Sequence, residues 1–109
     1  MTYSAARALE AWRSALSHGD TTELDAMLAA NLVFENSSGN RETKPEVLEW
    51  AGAGGFSISL LSVYHEDERT ICGTHTHEME GEPNRIMMFF ARFENGRCTF
   101  WKVHGGPQA

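Results

Sequence analysis

From Phe56 onward the chain reads as strand after strand. Four runs, FSISLLSVYHE, RTICGTHTHEM, RIMMFFARF and RCTFWKVH, are rich in β-branched and aromatic residues. The breaks between them, EDE, EGEPN and ENG, are short enough for hairpins. Strands joined by hairpins run antiparallel, so this half is expected to form one curved antiparallel sheet. In IMMFFARF, Met87, Phe89, Ala91 and Phe93 share one face, while Ile86, Met88, Phe90 and Arg92 share the other. Both faces are apolar, whereas a sheet with one solvated face alternates cleanly. Both faces of this sheet are therefore expected to be covered by protein.

The N-terminal half supplies one cover. SAARALEAWRSALSHGD predicts a helix, with Ala5, Leu9, Trp12 and Leu16 as its apolar stripe and Gly19 as its stop. A second helix is expected at once, with Asp20 as N-cap, Glu23 completing a capping box, and Leu24, Met27 and Leu28 as its buried face. NLVFEN reads as a short strand and SSGN as a turn. TKPE starts a third helix, with Thr43 at the cap, Pro45 in the first turn and Glu46 at the box position. Val47, Leu48 and Trp50 or Ala51 form its inner side, and GAGG ends it. Helices first and strands afterwards make an α+β chain. Its 109 residues fit a single domain, 1–109. The second sheet face is left for another subunit, so a homodimer through Ile86, Met88, Phe90 and Phe100 is expected.

The net charge of −6 and the absence of a basic run argue against nucleic acid or an anionic membrane as partner. No run of about 20 apolar residues is present, so no transmembrane helix is expected. With no signal-peptide pattern, a cytoplasmic, reducing setting is the expectation. Cys72 and Cys98 lie in separate apolar segments, and their spacing does not decide whether they pair.

Three segments carry a resemblance. LEAWRSALSHGDTTELDAMLAANLVFEN resembles the opening of the nuclear transport factor 2-like superfamily, also called cystatin-like or ketosteroid isomerase-like. RFENGRCTFWKV resembles its closing hairpin, and GTHTHEMEGEPNR resembles a segment of its SnoaL-like branch. The resemblance spans nearly the whole chain. It implies a cone-shaped half-barrel, helices on the concave face, a pocket between them, and dimers through the convex face. It does not fix an activity, because the superfamily holds isomerases, cyclases, dehydratases, epoxide hydrolases and binding domains. The family's steroid isomerase uses an Asp base, an Asp in acid form and a first-helix Tyr. Asn36, Phe89 and Trp12 stand at those positions here. Asn cannot take up a proton and Phe cannot donate a hydrogen bond, so that chemistry is not expected. The acid that many SnoaL-like relatives carry after the final-strand Trp is replaced by Gly105.

The register implied by the resemblance puts Ile71, Gly73, His75 and His77 on the concave face. Met87, Phe89, Ala91, Phe93, Trp101 and Val103 join them, with Phe34 and Asn36 at the rim. A small hydrophobic molecule would then meet Trp12, Phe34, Asn36, Met87, Phe89, Trp101 and Val103. Residues at i and i+2 on a strand lie about 6.5–7 Å apart on one face. Two imidazoles that close in an apolar pocket would not both be charged, and a neutral ring near pH 7 is a usable acid or base. His75 and His77 are thus the candidate catalytic pair, acting on a carbonyl-bearing ring compound, with Asn36 or the Trp101 indole N–H as candidate oxyanion donors. A non-catalytic ligand-binding or dimerisation role for the same fold stands as the alternative. HTH followed by Glu82 is similar to half of a cupin metal motif, but the flanking glycines and second half are absent. No metal and no cofactor are expected.

Overall fold

The computed structural model describes residues 3–108, with side chains described as far as residue 105. Helix α1 spans Ala5–His18. Ser4 caps it by accepting from the Arg7 N–H, and Gly19 ends it at φ 71°, a left-handed conformation that suits a residue without Cβ. The predicted stripe is buried in full: Ala5, Leu9, Trp12 and Leu16 all sit in the core. Glu66 lies far along the chain, at the break EDE, and its carboxylate accepts from the Ala5 N–H at 2.6 Å. This bond ties the helix start to the sheet.

Helix α2 is shorter than expected, Thr22–Met27, with Thr21 rather than Asp20 at its cap. Asp20 accepts from the Thr22 N–H instead, as an Asx turn does. Leu28 is buried, but as the first residue of strand β1, Leu28–Glu35. The Lys44 ammonium donates to the carbonyls of Asp25 and Leu28, where α2 gives way to β1. Strand β2 covers Arg41–Thr43. It runs into helix α3, Lys44–Ala53, whose capping pair is formed: Glu46 accepts from the backbone N–H and the hydroxyl of Thr43, both at 2.9 Å. Val47 and Ala51 are its fully buried residues.

The C-terminal half follows the strand pattern: β3 Leu60–Glu66, β4 Thr70–His77, β5 Arg85–Glu94 and β6 Arg97–Gln108. Six strands form one curved, unclosed sheet in the order β2-β1-β6-β5-β4-β3. The three hairpins predicted from β3 to β6 are antiparallel. The sheet is mixed rather than wholly antiparallel, because β1 pairs with β6 in parallel, Phe34 opposite Trp101. A parallel pair needs a long connection, and everything from β2 to β5 serves as that connection.

The core fills the space between α1, α2, α3 and one sheet face. Trp101, Leu24, Met27, Leu28, Ile71 and Val47 are completely buried in it. Each such side chain contributes about 1.5–3 kcal/mol relative to exposure. Met87, Phe89, Ala91 and Phe93 point into this face, and Met88 on the opposite face is half exposed. Among the described residues no helix is long and apolar enough to cross a membrane.

Candidate functional site

Where α1 and α3 cross the sheet, the packing leaves a cavity of about 100 Å³. Trp12 and Leu16 of α1, Trp50 of α3 and Phe34 of β1 form one side. His75, His77, Met87, Trp101 and Val103 of the sheet form the floor, and Phe56 and Ile58, just ahead of β3, close the end. Five of the seven expected contact residues thus line it: Trp12, Phe34, Met87, Trp101 and Val103. Phe89 does not, because it lies beneath His75 and Trp101, stacked on both rings at centroid distances of 5.7 and 5.6 Å. Asn36 does not either. Its side-chain oxygen accepts from the N–H groups of Ser38 and Asn40, so its work is to hold the β1–β2 turn. Leu16, Trp50, Phe56 and Ile58 are lining residues that the sequence does not mark as such.

The aromatic wall is continuous. Trp12 packs against Trp50, Trp101 and Phe34 at 5.8, 5.4 and 5.7 Å between centroids. The Trp50 indole donates to the Glu42 carboxylate. The Trp12 indole N–H is buried and has no acceptor among the described residues.

His75 is only 5 % exposed. Its Nδ1 lies 2.8 Å from the Thr76 carbonyl oxygen. A carbonyl can only accept, so Nδ1 carries the hydrogen and Nε2 carries the lone pair. Burial lowers the His75 pKa below the usual histidine value; the Thr76 bond opposes this, and His77 adds to it. The ring is therefore neutral at pH 7. His77 is partly exposed and stacks on Phe56 at 4.4 Å. The next polar pair points elsewhere: the Thr76 hydroxyl accepts from the Ser59 N–H and donates to Glu78.

Similar architecture occurs in solved proteins. A crystal structure of an NTF2-like protein of unknown function from Cytophaga hutchinsonii matches with a TM-score of 0.75, over 93% of this chain and 88% of that one, at 18% identity. An LEH-like epoxide hydrolase from M. tuberculosis matches with a TM-score of 0.73, over 93% and 81%, at 21% identity. This chain has the nuclear transport factor 2-like fold. A protein of ketosteroid isomerase-like fold from Catenulispora acidiphila, solved in complex with trimethylamine, matches with a TM-score of 0.64, over 88% and 82%, at 17% identity. No protein-family model matches the chain, and no curated protein matches it in sequence.

Within the NTF2-like fold the cavity lies between helices and concave sheet, as the resemblance implies. Among the described residues no three His, Cys, Asp or Glu side chains converge as a metal would require. Both thiols are free, and burial pushes Cys98 up to about 12, so it is no nucleophile at neutral pH. A larger, open groove lies at the other end of the sheet, bounded by Glu68, Arg69, Arg92 and Glu94. Its charges are of both signs, which leaves it without a preference for an anion or a cation.

Proposed function

We propose that the chain binds a small hydrophobic compound bearing a carbonyl in the cavity beside His75, and that His75 and His77 move a proton on it. The observation that carries this reading is the His75 ring: buried, neutral, and fixed by Thr76 in the tautomer with a lone pair on Nε2. Nε2 would remove a proton from the carbon next to the carbonyl, leaving an enolate. The partly exposed His77, two residues along the same face, would return a proton to another atom of the same π system. The outcome is an isomerisation or, where a hydroxyl leaves, a dehydration. A cavity near 100 Å³, smaller than an engineered cavity of about 150 Å³ that holds benzene, takes no more than one ring.

Acetophenone and cyclohexanone in deuterium oxide provide the test, with proton NMR reading exchange next to the carbonyl. Exchange above buffer, reduced about 100-fold by His75→Ala, is the expected result. Exchange unchanged in both His75→Ala and His77→Ala ends the catalytic reading.

One observation favours a second reading, a binding domain without catalysis. Asn36, Phe89 and Gly105 stand where the family's isomerases and cyclases use a carboxyl group, and Trp12 stands where the isomerase uses a Tyr. Binding of a ring ketone with no exchange supports that reading. In either case we infer a homodimer through the convex sheet face, where Ile86, Met88, Phe90 and Phe100 give a mostly apolar surface. A soluble, cytoplasmic setting accords with these assignments.

A further inference from the structure

We propose that the cavity's ligand carries a carboxylate next to its carbonyl, and that Arg85 with Ser37 receives it at the mouth. This rests on the ligand-binding reading above and adds the ligand's charge. The position that decides it is Gly105. A Cβ placed there would lie 3.2 Å from Nη2 of Arg85, 3.5 Å from the Ser37 hydroxyl and 3.8 Å from the Met87 sulfur. The guanidinium thus occupies ground that a side chain at Gly105 would fill. Three strands bring these groups together. Arg85 pairs directly with His77, and Met87 pairs with Gly105 across β5 and β6. Ser37 comes from the turn that Asn36 holds after β1.

The result is a site of two halves. Inward from Met87 and His77 the walls are apolar and aromatic, with His75 as the polar exception. Outward from the same two residues come a guanidinium and a hydroxyl. A neutral hydrocarbon uses only the first half. A 2-oxo acid on a single ring uses both: ring against Trp101, ketone near the imidazoles, carboxylate on Arg85. A guanidinium offers five N–H donors, more than the two that a bidentate carboxylate takes.

Two probes that differ only at this end test the assignment by titration calorimetry: benzoylformate and acetophenone, which has a methyl where benzoylformate has its carboxylate. The expected result is that benzoylformate binds roughly tenfold or more tightly than acetophenone, as a charge-assisted bidentate contact gives. Arg85→Gln should erase that advantage and leave acetophenone binding unchanged. Gly105→Val, which fills the ground under the guanidinium from the other strand, should do the same. Circular dichroism of both variants checks that they fold. Equal binding of the two probes overturns the carboxylate assignment and leaves the cavity reading intact. Tighter benzoylformate binding that survives Arg85→Gln also overturns it, because the anion then binds elsewhere. Binding of neither probe overturns both.

Discussion

His75 donates through Nδ1 to the carbonyl of its own neighbour, Thr76, at 2.8 Å. Thr76 in turn is held across the sheet edge, its N–H donating to the Ser59 carbonyl at 2.9 Å. The acceptor that sets the His75 tautomer is therefore backbone, fixed by strand pairing. A side-chain substitution at Thr76 leaves that acceptor in place.

Stability should fall as the pH drops from 7.5 to 5.5, and His75 should cause part of that fall. In the unfolded chain a histidine titrates near 6.5. Folded His75 titrates lower because it is buried. Between the two values the unfolded chain holds more protons, so this contribution is complete above about pH 6.5 and is lost as the pH falls. One such group changes stability by at most about 1.4 kcal/mol per pH unit. Asp67, held at about 2, acts only in stronger acid. Urea midpoints at the two pH values should differ less for His75→Gln than for the unmodified protein. Equal differences would remove burial of a neutral His75 from the account.

Gly73→Ala should cost about 3 kcal/mol in urea unfolding, at the upper end of overpacking effects. A Cβ at Gly73 would lie 2.0 Å from the Ser62 carbonyl oxygen and 3.1 Å from the Val63 Cα, both backbone atoms that cannot rotate away. The pairing of β3 and β4 slips in register on both sides of this point. The strands would have to separate two residues from His75, so acetophenone binding should weaken as well. A loss below about 0.5 kcal/mol would mean that β3 moves freely.

Elements are most legible in the sequence where a period or a cap defines them. The α1 stripe, the Thr43–Glu46 cap and the shared parity of His75 and His77 are readable for that reason. The parallel pairing of Phe34 with Trp101 is not, since these residues lie far apart in the chain with no turn to announce their meeting. The register implied by the resemblance puts Asn36 at the pocket rim, but the SSGN that follows is turn chemistry, and a side chain committed to a turn cannot also serve a ligand. Phe56 and Ile58 read as part of a strand that in fact begins at Leu60. Their alternation with Ser57 is the available signal that both face inward.

Trp12→Phe should change stability by less than about 1 kcal/mol, unusually little for so buried a tryptophan. Truncating a buried aromatic ring to Ala costs about 3–5 kcal/mol, and shrinking it to Phe keeps part of that contact. Against this stands the indole N–H, buried without an acceptor among the described residues, a state that itself costs about 1–3 kcal/mol. Phe gives up some contact area but also removes the unpaired donor, and the two effects nearly cancel. Thermal and urea unfolding read the balance. A loss above about 2 kcal/mol would show that the N–H is satisfied by the faces of Phe34 or Trp101.

Phe90→Glu should convert the homodimer inferred above into a folded monomer. Phe90 and Phe100 meet edge to face at 6.3 Å on the convex side, and the Arg92 guanidinium lies over both rings. Met88 is 50 % exposed beside them. A stable interface hides about 800 Å² on each subunit, and this face offers the apolar centre one needs. Around a two-fold axis the substitution acts twice, removing two rings from the apolar centre and putting there two carboxylates, each with the Arg92 guanidinium of its own strand nearby. Sedimentation should show the dimer weakened about 100-fold while circular dichroism stays unchanged, the scale expected when an aromatic anchor is lost from the centre of an interface. If the unmodified protein sediments as a monomer at high concentration, the convex face is not its own partner.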